Sequence, residues 1–150
     1  MVRFKKRYFV VQLDREKDLT KPRAFQDSKP LDIPDGILAN AIKDIVQQFH
    51  GDFGRASVTQ GLRTIYCNAE THLVLIQCRH GPHKLVGSSL PFLTKIQDEK
   101  VVPRLIYTGA TIKNCYKVCN TQCGHFRILL SLRFYVKSMA FSIYLAIFEG

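Results

Sequence analysis

Three cysteines, Cys115, Cys119 and Cys123, recur every fourth residue, and a helix would line their thiols along one face with His125 just beyond. The chemistry that pattern suggests is metal binding. Structural zinc sites, however, draw closely spaced cysteine pairs from two separate turns, and three thiols strung along one helix reach too far for one ion. They are expected to be buried apolar side chains. His80-Gly-Pro-His83, with His72 nearby, is a second metal candidate. Gly-Pro makes a turn between the histidines, no fourth ligand is evident, and surface histidines beside a helix start are expected instead. Asp14, Glu16 and Asp18 alternate with cations and make no acid–base pair.

Val58-Thr-Gln-Gly-Leu-Arg63 resembles the V-Q-G…R loop of acylphosphatases, where an arginine beside backbone N–H groups cradles an acyl phosphate. Here it follows the first helix rather than the first strand, and a strand with polar residues on its outer face is expected. A small acylphosphatase-like phosphohydrolase is nevertheless the alternative reading. Gly51-Asp-Phe-Gly54 carries a kinase triplet without the other kinase motifs, and its expected role is a helix stop and a turn. Ser88 and Ser89 lie outside any G-x-S-x-G, and no phosphate loop exists. No catalytic residues and no metal site are assigned.

The basic positions remain. Arg3, Lys5, Lys6 and Arg7 open directly into the apolar alternation Tyr8-Phe-Val-Val-Gln-Leu13, so their charges are held by a strand rather than by a flexible arm. Rigid positive charge suits a rigid polyanion, and RNA leads. Arg104 on a later strand and Lys113 and Lys117 on a third helix are further phosphate contacts, with Tyr8 and Tyr107 placed to stack on bases. Leu73-Val-Leu-Ile-Gln77 lacks the aromatic RNA-recognition consensus, so ordinary base stacking on the sheet face is not expected.

The chain of 150 residues is long enough for one domain with a real core, and its net charge is +10. Residues 1–30 hold nine Lys/Arg against four Asp/Glu, whereas residues 31–80 hold four against five. The middle therefore reads as scaffold and the ends as contact surface. Five cysteines without a signal peptide read as reduced thiols in an intracellular protein. Ser138–Phe148, the longest uncharged run of the apolar tail, is shorter than the ~20 residues a membrane span needs, so no membrane partner is expected.

The elements that must position these residues follow from periodicity. Arg7–Leu13 reads as a strand and Asp14–Pro34 as a long charged loop. Asp35 is expected to cap a helix with apolar Ile37, Leu38, Ala41, Ile42, Ile45, Val46 and Phe49, closed by Gly51. Arg55–Leu62 and Thr71–Arg79 read as a hairpin through Asn68-Ala69-Glu70, the second strand central and covered on both faces. Pro82 opens a second helix carrying Leu85, Val86, Leu90, Leu93 and Ile96, which Pro91 should kink or restart. Val101–Tyr107 reads as a strand and Ile112 as the start of a third helix. The order β-α-β-β-α-β plus a C-terminal helix predicts an α+β sandwich of ferredoxin or RNA-recognition type, with an antiparallel sheet.

MVRFKKRY at the start, LANAIKDIVQQFHGDFG (Leu38–Gly54), LPFLTKI (Leu90–Ile96) and TGATIKNC (Thr108–Cys115) together resemble the Pop-five family, a protein subunit of eukaryotic ribonuclease P and ribonuclease MRP. The resemblance covers most of residues 1–117. It implies an RNA-recognition-like, non-catalytic subunit of a ribonucleoprotein whose RNA holds the metal ions and cleaves. The particles remove the 5′ leader of precursor tRNA and process precursor ribosomal RNA. It further implies a TIM-barrel-type protein partner, a nuclear and nucleolar location, and no cofactor bound by the protein itself. Arg3, Lys5 and Arg7 occupy the family's opening basic positions, and Lys113 its basic position after T-I. Residues 118–150 depart from the pattern. Val118–Gly124 breaks the amphipathic continuation expected of the third helix, and the apolar tail beyond reads as a divergent, alternative or misjoined C-terminal exon.

Overall fold

Alternation gives a strand two faces, and β1 (Lys6–Arg15) puts Phe9, Val11 and Leu13 into one apolar core. The computed structural model describes residues 4–20, 31–69 and 71–123. Arg3 and the apolar tail lie outside them. After β1 come a one-turn helix α1 (Glu16–Leu19), the long helix α2 (Asp35–Thr59) and strands β2 (Arg63–Cys67) and β3 (Leu73–Arg79). Helix α3 (His83–Ser89), a 3₁₀ turn at Leu90–Phe92, strands β4 (Lys95–Ile96) and β5 (Glu99–Gly109), and helix α4 (Ile112–Cys123) complete the order.

The strands run β2-β3-β1-β5-β4, every neighbour antiparallel. Apart from the short hairpin strand β4, this is the α+β ferredoxin-like sandwich that the order of elements predicts. One helical connection leads from β1 to β2 and another from β3 toward β5, as that topology requires. Leu38, Ile42, Val46 and Val58 of α2 and Val86 of α3 pack on Phe9, Val11, Val74 and Ile76. Burying each such side chain contributes roughly 1.5–3 kcal/mol. Every residue of β3 except Arg79 is buried, as expected of a strand covered on both faces. The chain divides into two units, Met1–Cys115 and Tyr116–Gly150. The first contains the whole sheet, and residues 116–123 of the second form the later part of α4.

Several local expectations are corrected. Of the loop expected at Asp14–Pro34, Asp14 and Arg15 belong to β1 and Glu16–Leu19 to α1, while residues 21–30 lie outside the described part of the chain. Asp35 is the first residue of α2 rather than its cap: Pro34 precedes it, and the Pro34 carbonyl accepts the Ile37 N–H at 3.0 Å. Gly51 does interrupt the helix, with φ 68° and ψ −166°, a region essentially open to glycine alone. The chain then re-enters a helix, so Arg55–Leu62 is not a strand, and the strand begins at Arg63. Gly54 and Val58, four residues apart, turn inward together, while Ser57 and Thr59 donate their hydroxyls to the carbonyls one turn back, at 2.8 and 2.7 Å.

Arg55 pairs with Asp44 and donates to Gln47 Oε1 at 2.8 Å, tying the two helical segments across the kink. Phe49 is exposed rather than in the core, its ring 4.6 Å from that of Phe92. Pro91 restarts the second helix as the 3₁₀ turn, which moves Ile96 onto β4. The third helix runs unbroken through Lys117 to Cys123.

Pro103 sits opposite Leu13 across the β1–β5 ladder. The Leu13 N–H points away from β5, to the His72 carbonyl at 2.8 Å, so this is a non-hydrogen-bonded pair. The donor that proline lacks would therefore have faced the outer edge of β5.

The open space around Gly51 means that Gly51→Ala tests backbone conformation alone. It should lower the unfolding free energy by about 1–3 kcal/mol, read from urea denaturation at unchanged m-value.

Candidate nucleic-acid interface

The antiparallel pairing of β1 with β3 brings the first residues of one strand beside the last residues of the other, with Lys6 opposite Arg79. The His80 N–H donates to the Lys5 carbonyl at 2.9 Å, extending the pairing beyond the strand ends. One end of the sheet thus gathers Lys5, Lys6 and Arg7 with Arg79, His80, His83 and Lys84. Arg7 donates to the Lys6 carbonyl at 3.4 Å. The Arg79 guanidinium lies 4.5 Å over the exposed Phe4 ring, a cation–π contact that fixes its position. Gly61 (φ 100°) approaches the Arg79 stem so closely that a Cβ there would meet its Cγ at 2.9 Å. His83 holds the His80 carbonyl through Nδ1.

The electrostatics agree with the geometry. Desolvation, followed by the positive charges of Arg7, His83, Lys5 and Lys84, holds His80 below the usual imidazole value. Among the described residues, none of Lys5, Lys6, Arg7, Arg79, Lys84 or Lys113 forms an ion pair. The opposite end of β1, about 30 Å away by strand rise, holds paired charges. There Arg15 meets Glu99 at 3.8 Å, Lys100 meets Glu16 at 3.5 Å, and Arg104 meets Asp14 at 3.6 Å.

The residues selected from sequence therefore separate. Lys5, Lys6 and Arg7 form the cluster. Lys113 is exposed in the first turn of α4, where the Thr111 hydroxyl accepts the Asn114 N–H at 3.4 Å. Gly109 pairs with Tyr8, so α4 starts at this same end of the sheet. Arg104 lies opposite Gln12 at the far end, committed to Asp14. Lys117 is exposed later on α4, in the second unit.

Tyr8 is only half-exposed. Desolvation raises its phenol pKa, Arg63 opposes that shift, and Cys115 adds to it. Tyr107 packs against Gly109, where a Cβ would come within 2.6 Å of its ring. Neither tyrosine is an open stacking surface. Sequence reasoning missed Arg79 and Lys84. The signal was a long-range one: only the pairing of β1 with β3 makes them neighbours of Lys6.

The other candidate chemistries resolve plainly. Cys115 and Cys119 are buried, burial pushes the Cys115 thiol up to about 11, and Cys78 is raised equally. The Cys123 side chain and His125 lie outside the described part of the chain. No cluster of metal ligands occurs among the described residues. His80 is exposed and His83 half-buried, with rings 5.0 Å apart. The acylphosphatase-like segment is the end of α2 and a turn at Gly61, and Arg63 donates to Gln77 Oε1 at 3.4 Å rather than facing an anion cradle. No helix among the described residues is long and apolar enough to cross a membrane.

The profile of the Rpp14/Pop5 family matches residues 7–120. The chain is 33% identical over 121 residues to the human ribonuclease P/MRP protein subunit POP5, spanning 78% of this chain and 69% of that protein. It is 34% identical over 123 residues to the zebrafish (Danio rerio) subunit of the same name, spanning 78% and 68%. A chain in a cryo-EM structure of yeast ribonuclease MRP aligns with TM-score 0.49 at 11% identity, over 83% of this chain and 98% of that one.

Part of the His80 shift comes from its cationic neighbours. Arg7→Gln should move the His80 titration upward toward the ordinary imidazole value, read from imidazole proton shifts by NMR. An unmoved midpoint would show that Arg7 does not face the ring.

Proposed function

The chain belongs to the Rpp14/Pop5 family, and we propose that it is a non-catalytic RNA-binding subunit of the ribonuclease P and ribonuclease MRP particles. The observation that carries the RNA contact is the absence, among the described residues, of counter-ions at one end of the sheet, beside pairing at the other. Cations held on a strand end and a strand-to-helix turn keep fixed spacings without losing side-chain and backbone freedom on binding. They neutralise phosphates, release counterions, and let the particle's own RNA fold tightly around its metal ions. In this reading the RNA performs the cleavage in precursor-tRNA 5′-leader removal and precursor-rRNA processing. The protein's place is in the nucleus and nucleolus, beside a TIM-barrel-type subunit of the same particle.

Changing Arg3, Lys5, Lys6 and Arg7 together to Ala should weaken binding to folded ribonuclease P RNA at least tenfold at 0.1 M salt. The slope of log K against log salt should flatten by roughly 0.7–0.9 for each phosphate that the variant no longer neutralises. Arg104→Ala should cost much less, since that guanidinium already faces Asp14. Equal affinity and equal slope for the quadruple variant would reject this end of the sheet as the contact.

A further inference from the structure

Arg79 and Lys84 face two ways. They belong to the cationic cluster, and they also line a groove of about 700 Å³ between the second half of α2 and the β3–α3 turn. Its other walls include Phe53, Ser57, Gln60 and Leu85, and among the described residues no carboxylate lines it. Phe53 is 80% exposed, an unusual state for a phenylalanine on a well-formed helix. We propose that this groove is a binding site for single-stranded RNA, with a base stacked on Phe53 and the adjoining phosphates on Arg79 and Lys84.

The proposal rests on the RNA-binding reading above and adds a place and a strand type to it. Three observations favour it. The groove is continuous with the unpaired cations through Arg79, so a strand leaving the cluster meets no neutralised stretch before reaching it. Its two cations have no ion-pair partners among the described residues, which leaves both for an anionic ligand. The exposed aromatic ring supplies what a duplex cannot use and an unpaired base can, because every base has a face to stack. Phe4, 68% exposed with the Arg79 guanidinium on one side of its ring, gives a second aromatic surface beside the same arginine. An acidic, apolar protein segment is the competing occupant. It would match the charge of the groove, but not the joint run of cations from the cluster into it.

The test compares full-length protein with Phe53→Ala and Phe53→Trp, using a twelve-nucleotide oligouridylate and a hairpin RNA with a blunt twelve-pair stem. Because Phe53 is largely exposed, both variants should unfold within a few degrees of the parent. Phe53→Ala should weaken oligouridylate binding about fivefold or more, Phe53→Trp should restore it, and hairpin affinity should stay within twofold. A 5-bromouridine oligomer should photocrosslink to α2 or the β3–α3 turn. Unchanged oligouridylate affinity in Phe53→Ala, or crosslinks only elsewhere, overturns the groove as an RNA site and leaves a protein occupant for it. The cluster reading survives that result if hairpin binding still depends on Lys5, Lys6 and Arg7. If the parent binds neither RNA at low salt, both readings fall together.

Discussion

A strand hydrogen-bonded on both sides has no freedom to slide, and the position of β1 between β3 and β5 is the constraint from which the rest follows. A slip of one residue would turn Phe9, Val11 and Leu13 out of the core and onto the opposite face. The register is therefore fixed by apolar burial, and the charged residues at the strand's start inherit that precision. The Lys5 carbonyl is held by His80, Lys6 stands across from Arg79, and the chain leaving β3 turns into α3 beside them. Packing inside the sandwich thus determines the spacing of charge outside it.

Gathering like charges works against folding. Two unit charges 4 Å apart repel by about 1 kcal/mol in water and by several times that at the lower effective dielectric of a protein surface. The aliphatic core beneath offsets this cost. An approaching polyanion reverses its sign, so the same groups that oppose the isolated fold favour the complex. Desolvation first, and then that repulsion, hold the His80 imidazole below its ordinary value. At the far end of β1, Asp14, Glu16 and Glu99 pair with Arg104, Lys100 and Arg15, so these three cations already have anionic partners.

Much of this was legible in the residues. The alternation Tyr8–Leu13 gives β1, the four-residue spacing of Leu38, Ile42 and Val46 gives the buried face of α2, and Pro91 marks the restart after α3. What failed has physical causes. Val58 and Thr59 are β-branched and read as strand, yet Val58 is fully buried from a helix that resumes beyond Gly51. Phe49 fits the apolar stripe by spacing, but the kink ends that stripe, and its ring meets Phe92 at the surface instead. Arg104 and Arg79 have the same chemistry and opposite circumstances. One faces a carboxylate and the other lies on a phenylalanine, a distinction made by strand pairing between distant parts of the chain and invisible to local pattern.

Pro103 carries a last consequence. Among the described residues, β5 has a neighbouring strand on its outer side only at Glu99 and Lys100, and the Val101 N–H donates to the Thr94 carbonyl at 3.0 Å, so the edge beyond presents backbone groups and the exposed side chains of Val102 and Leu105. An edge of that kind is a template on which foreign strands polymerise. The pyrrolidine ring at position 103 interrupts the row of outward donors, so a visiting strand meets a gap in the ladder and a steric obstacle together. Along the described part of that edge, one imino acid thus works against strand-to-strand self-association.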